Sequence, residues 1–388
     1  MFDDIRPYND AEVNPVLQRL LHDRELLTAI RELKFPRWPA WLDIVVHPLL
    51  RAYLAAQTKN IESVYDFQIL VKKYLQRVIA DTTSGFTHSG IENLPRQKAC
   101  LFMSNHRDIA MDSAFVNYAL HSKGLDTVRI AIGDNLLTKP FASDLMRLNK
   151  SFIVQRSAKG PRQVLAAYKT LSAYIRQSIE QDQQPIWIAQ REGRAKDGND
   201  ATEPAIIKML SMSLVKGERS LTEHIAALNI VPVAISYEYD PCDLMKAREL
   251  HAVAHAGEYA KAEHEDISSI AAGIAGNKGH VHVAFGTPLQ GEFQDAAAVA
   301  AALDQQILTN YTLHPSNCIA WQQLRDSVPD VLCSASQQPF EAQNFAADAE
   351  QFKQRVSGYP RETQELVLQM YARPVTNKLN VTSHVGVA

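Results

Sequence analysis

The run Ser104-Asn105-His106-Arg107-Asp108-Ile109-Ala110-Met111-Asp112 places an imidazole, a guanidinium and two carboxylates within one short segment. An imidazole takes up a proton near neutral pH, and a carboxylate beside it fixes its tautomer and stabilises the imidazolium, so such a pair is equipped for general-base work. Which carboxylate serves His106 is open at this level. At about 100° per residue a straight helix points His106 and Asp112 about 240° apart, so only a turn between them brings them together. Asp108, two residues on, shares a face with His106 if the segment is extended. A hydrogen-bonded strand-end turn without chemistry is the commoner use of such a cluster.

Three further clusters follow apolar runs. Arg156 closes Ser151-Phe152-Ile153-Val154-Gln155, with Lys159 and Arg162 just beyond; guanidinium groups beside a helix start suit a phosphate, and a solvated basic turn is the bland alternative. Glu192-Gly193-Arg194 follows Ile186-Trp187-Ile188-Ala189, flanked by Arg191 and Lys196. Its glycine lets backbone approach a ligand, its cations suit an anion, and a salt-bridged loop explains the same residues. Pro232 interrupts Ile230-Val231-Pro232-Val233-Ala234-Ile235-Ser236-Tyr237, and a proline, lacking an N–H, is expected at a strand start or edge. His251 and His255, one helical turn apart, with Glu258 or His264, make a weak metal candidate on an otherwise polar helix. His106-Arg107-Asp108 also evokes a kinase catalytic loop, but Ser113 stands where that loop needs Asn, and no Gly-rich loop precedes it. Gly-x-Ser-x-Gly is absent, which removes the commonest serine hydrolase pattern.

The elements that must position these groups are short apolar strands alternating with amphipathic helices between residues 81 and 290. Strands are expected at Ala99 to Met103, Val128 to Gly133, Ser151 to Gln155, Pro185 to Ala189, Ile230 to Tyr237 and His280 to Phe285. A helix is expected from Arg162 to Ile179, after Pro161. The pattern predicts an α/β fold with a largely parallel central sheet flanked by helices, and in such sheets ligands bind at the C-terminal ends of the strands. Residues 1–80 read as an N-terminal helical region and 291–388 as a helical C-terminal extension, with a loose tail from about Pro374.

In the N-terminal region Phe35 to Arg51 carries Trp38 and Trp41 between arginines and aliphatics. That composition suits a lipid headgroup boundary; an inter-helix connection with its tryptophans packed inward is the favoured alternative.

The chain of 388 residues is 46% hydrophobic and 21% charged, ordinary for a globular protein, and its net charge of −3 gives no global pull toward nucleic acid. Cys100, Cys242, Cys318 and Cys333 show no C-x-x-C spacing, and Asp3, Asp4 and Arg6 stand where an export signal is apolar, so a cytoplasmic location is expected. The Asn380-Val381-Thr382 sequon is expected to be idle there.

The order of the clusters resembles the four-motif signature of the glycerolipid acyltransferases, the glycerol-3-phosphate and 1-acylglycerol-3-phosphate O-acyltransferases, over about residues 85 to 290. The resemblance implies transfer of a fatty acyl group from acyl-CoA or acyl carrier protein to a glycerolipid hydroxyl in phospholipid biosynthesis. No metal or other cofactor is implied, and peripheral contact with the cytoplasmic face of a membrane is expected. It assigns the base to His106 and its carboxylate most simply to Asp112, with Asp108 the alternative. Phosphate or substrate binding falls to Arg107, Arg156, Glu192, Gly193, Arg194 and Pro232. The sequence departs from the family pattern in placing five residues rather than four between His106 and Asp112. Lys150 also stands where a glycine usually opens the second motif, and Gly193 and Arg194 are one residue closer than usual. A non-catalytic lipid- or acyl-carrier-binding protein on the same fold is the alternative reading.

Overall fold

The structure, a computed structural model, describes residues 2–35, 37–262, 265–334 and 336–385. Its main strands in chain order are β1 (Gly85–Ser89), β2 (Leu101–Ser104), β3 (Arg129–Gly133), β4 (Ser151–Val154), β5 (Ile186–Ala189), β6 (Ile230–Tyr237) and β7 (His280–Phe285). All six expected strands are present with ends shifted by no more than two residues; β1, a Gly-Phe-Thr-His-Ser strand without an apolar run, was not foreseen. The chain forms two compact units.

One unit comprises residues 1–75 and 129–168. Val13, Val16, Leu17 and Leu20 of the helix Asp10–His22 recur at helical spacing and pack with Leu26, Ile61, Phe67 and Leu148 into one core. Asp144 of the helix Pro140–Leu148 accepts from the Tyr8 hydroxyl and from Arg19, which pins that helix to the first. The strands β3 and β4 pair in parallel. Lys150, ahead of β4, has φ +62°, so a lysine holds the left-handed conformation for which glycine is usually chosen. In the same unit Trp38 and Trp41 do not pack inward. They are 45% and 72% exposed, and the helix Asp43–Thr58 continues the apolar surface with Ile44, Val45, Leu49 and Tyr53.

The other unit comprises residues 76–128 and 169–388 and holds a run of five neighbouring strands in the order β1-β7-β6-β2-β5. It is largely parallel: β5 and β6 flank β2 in the same direction, β1 runs with β7, and only β6 and β7 are antiparallel. Every residue of β6 is buried, which explains its nearly unbroken apolar sequence. Helices Met111–Ser122 and Ala296–Asn310 pack against β7 and β6, giving the α/β arrangement. Pro232 is not at an edge or a strand start. It pairs in register with Met103 of β2, while on its other side the antiparallel ladder begins only at Val233 opposite Phe285. Gly286 donates to the Pro232 carbonyl, and the N–H that proline lacks is the one that would have extended this ladder.

The C-terminal segment is integral to this unit. Helices Pro315–Arg325, Ala346–Ser357 and Arg361–Val385 share a core of Cys318, Phe352, Val367 and Val375 with Ala234 of β6 and Ala284 of β7. The expected loose tail after Pro374 is instead helical, with Pro374 inside the last helix. A proline there leaves the carbonyl four residues back without its helical donor. That carbonyl, of Met370, lies against Gly198, where φ is +76° and an added Cβ would come within 2.2 Å of the oxygen. Among the described residues no helix is long and apolar enough to cross a membrane.

Buried histidines give this unit a specific acid sensitivity. His282 lies between the Thr87 and Ser89 hydroxyls, 2.7 and 3.0 Å from Nδ1 and Nε2, and burial pushes it down to about 4. Between the ordinary value near 6.5 and about 4 the unfolded chain binds the proton and the folded one does not, so this histidine draws stability away as pH falls through that window. Urea unfolding of wild type and His282→Gln should therefore diverge as pH drops from about 6.5 to about 4, the wild type losing on the order of 3 kcal/mol more.

Candidate functional site

β2 ends at Ser104, and its pairing is prolonged by a side chain. The Asn105 amide accepts from Ile235 N–H at 2.7 Å and donates to the Ile235 carbonyl at 3.0 Å, as a further strand residue would. The chain is thereby free to leave the sheet at His106. It turns through residues 107–110 and enters the helix Met111–Ser122; the N–H groups of Ala110, the last residue of the turn, and Met111, the first of the helix, donate to Asp108 Oδ1 at 2.9 and 2.8 Å. Asp108 therefore caps this helix and is not the partner of the imidazole; burial away from water raises its pKa, with the nearby Asp112 adding to the effect.

Asp112, in the first turn and fully buried, meets His106: its Oδ2 lies 2.8 Å from Nδ1. The same oxygen accepts the N–H groups of Arg107 at 2.7 Å and Asp108 at 3.0 Å. A loop rather than a helix separates the two residues, which is how a five-residue gap still brings them together. The neutral imidazole then donates from Nδ1, and Nε2, on a side chain 14% exposed, is left to accept a proton. Trp187 of β5 stands edge-on to the ring with centroids 6.0 Å apart, and its own N–H goes to Ser104 Oγ.

Arg107, 7% exposed, turns inward, pairs with the buried Asp200 and lies over the Tyr311 ring. Burial opposes its charge, but Asp200, Tyr311, Asp240 and Asp112 around it outweigh that and raise its pKa. It is a buried cation held by its ion pair with Asp200. The loop after β5 comes back to the histidine: Ala195 N–H donates to the His106 carbonyl at 3.0 Å, which sets Glu192 and Gly193 at the surface and Arg194 half-buried beside it. Gly193 has φ +74°, and Arg194 Nη2 lies 3.4 Å from Ser269 Oγ. Pro232 lies within β6, away from any side-chain chemistry of its own.

Arg156 belongs to the unit of residues 1–75 and 129–168. There its N–H donates to Asp134 Oδ1, and Ser157 donates to the same carboxylate through both N–H and hydroxyl. Asp134, to which the sequence reading gave no role, thus shapes the turn that carries Arg156. The rings of His251 and His255 are tilted against each other on their helix with centroids 4.0 Å apart; His264 lies outside the described residues. Among the described residues no three His, Cys, Asp or Glu side chains are grouped to hold a metal.

Sequence reasoning also missed a support behind the loop. Lys246 donates to the Arg107 carbonyl at 2.7 Å and pairs with Asp240. Three residues on, Asp243 accepts from Arg355, Tyr359 and Tyr371 of the C-terminal helices and the segment between them. None of these carries a motif signal, since each is an ordinary polar residue whose partner is remote in the chain.

Residues 85–236 match the family model described as Acyltransferase. No curated protein matches the chain. Among solved structures, the 1-acyl-sn-glycerophosphate (LPA) acyltransferase PlsC from Thermotoga maritima is similar with a TM-score of 0.37 and 12% identity, over 77% of this chain and 94% of that one.

The burial of Arg107 has a measurable consequence. Arg107→Ala leaves the Asp200 carboxylate, 4% exposed, without its cation, and should lower unfolding stability by about 3–5 kcal/mol, as read by urea denaturation, whether or not substrate is present.

Proposed function

We propose that this chain is an acyltransferase that moves a fatty acyl group from acyl-CoA or acyl carrier protein to a hydroxyl of glycerol-3-phosphate or 1-acylglycerol-3-phosphate, with His106 as general base. The observation that carries the reading is the 2.8 Å contact between His106 Nδ1 and the buried Asp112 carboxylate, which leaves Nε2, on a side chain 14% exposed, as the nitrogen to take a proton. As the acceptor hydroxyl attacks the thioester carbonyl, its proton passes to His106 Nε2. The C–S bond then breaks, and the departing thiolate takes that proton from the imidazolium, which restores the neutral base. Asp112 holds the tautomer and offsets the charge on the imidazolium. No acyl-enzyme is required.

Arg194, on the loop bonded to the His106 carbonyl, is assigned to the phosphate of the acceptor, with Glu192 and Gly193 on the same exposed turn. The same role for Arg156 rests on its sequence motif. A binding protein without catalysis has no use for a buried carboxylate aimed at a solvent-reaching imidazole, so the intact pair favours the enzyme. His106→Ala should reduce acyl transfer by about 10²- to 10⁴-fold in folded protein, measured with radiolabelled palmitoyl-CoA and each of the two acceptors; near-normal turnover would refute the assignment of the base.

The acceptor class is consistent with the exposed surface around Trp38, Trp41, Ile44, Leu49 and Tyr53. Tryptophan and tyrosine among aliphatics, with Lys34 and Arg37 close by, form a face suited to the headgroup boundary of a bilayer. We assign to it peripheral attachment at the cytoplasmic face. Replacing Trp41, Ile44 and Leu49 together with serine should abolish co-sedimentation with anionic phospholipid vesicles while leaving transfer to water-soluble glycerol-3-phosphate within about twofold, since nothing at His106 changes.

A further inference from the structure

We propose that Tyr237 is a positioning residue for the His106–Asp112 pair: its hydroxyl sets the rotation of the Asp112 carboxylate and, through it, the plane of the imidazole. The inference rests on His106 being the base, and its test separates the two ideas.

The two oxygens of Asp112 are held in different ways. Oδ2 takes the His106 ring and the N–H groups of Arg107 and Asp108, all from the loop that Asp112 itself follows. Oδ1 has one donor among the described residues, the Tyr237 hydroxyl at 2.8 Å, and it comes from the end of β6, 125 positions along the chain. Local donors alone leave the carboxylate free to swing with its loop. A donor from a central strand ties it to the sheet. Tyr237 itself cannot swing, because it is in register with Val281 of β7 and its ring meets Phe115 edge-on at 5.7 Å, with Phe115 stacked in turn on Phe86 of β1. Burial first, and then Asp112 and Asp108, raise the phenol well above its ordinary value, so it is always a donor toward the carboxylate.

Fixing one oxygen on the sheet and the other on the loop leaves one orientation for the carboxylate. It also shares out the carboxylate charge that faces the imidazolium. Losing the hydroxyl therefore loosens the base and leaves more unshared charge toward it.

The test compares wild type, Tyr237→Phe, Phe115→Leu and His106→Ala in the full-length chain. Palmitoyl-CoA with glycerol-3-phosphate or 1-acylglycerol-3-phosphate serves as the assay, and the histidine ring titration is followed by NMR, assigned by loss of the signal in His106→Ala. Tyr237→Phe should lower kcat roughly threefold to tenfold with little change in KM. It should also raise the acid limb of the rate profile, and with it the ring titration midpoint, by about half a pH unit.

Phe115→Leu disturbs the packing around Tyr237 but keeps the hydroxyl, and should leave the midpoint in place. If Tyr237→Phe does not fold, 3-fluorotyrosine installed at position 237 keeps the ring and strengthens the donor, and the midpoint should move the other way. An unchanged midpoint in Tyr237→Phe or in the fluorotyrosine protein overturns the proposal, as does an equal shift in Phe115→Leu. Activity retained in His106→Ala overturns the general-base reading instead.

Discussion

The Asp112 carboxylate has no exposure to water, and a charge so placed is tolerated only when donors replace the solvent. Four do so: the His106 ring, two consecutive loop N–H groups and the Tyr237 hydroxyl. Each donor constrains something different. The loop amides wind residues 107–110 around the carboxylate, the phenol anchors it to β6, and the imidazole receives the orientation that results. The adjacent Asp108 spends its charge on the start of the helix instead, so two acids four residues apart divide the work of ending a strand and beginning a helix.

The sequence made the scaffold legible because β2, β5 and β6 are buried on both faces, so their apolar runs are short and nearly continuous. It also singled out His106 and the two possible carboxylates. It did not decide between them, because the choice depends on the path of a four-residue turn, and no period describes a turn. β1 went unseen since, with every position half-buried or exposed, it carries no apolar run.

Pro232 misled for a related reason. A missing N–H is costly in a ladder, but this one points to the side where pairing with β7 has already ended. Arg107 looks from its neighbours like a ligand for anions; its depth and its ion pair with Asp200, far along the chain, carry no local signal. Lys150 shows the reverse case, a side chain accepted where a glycine was the usual choice because its backbone can still reach the left-handed region.

Behind the loop, contacts pass from Arg355, Tyr359 and Tyr371 to Asp243, and from Asp240 and Lys246 to the Arg107 carbonyl. A second path joins Gly198, on the loop after β5, to the Met370 carbonyl that Pro374 leaves without a helical donor. Both paths end on segments that flank His106, and both begin in the final helices.

That layout bears on how the protein matures during synthesis. The strands and the histidine loop emerge from the ribosome early and can pair among themselves, but the helices that brace them are made well afterwards. A nascent chain halted before the Arg361–Val385 helix would hold His106 and Asp112 without the backing they rest on, so the loop gains its full support only once that helix has been made rather than when the motif itself appears.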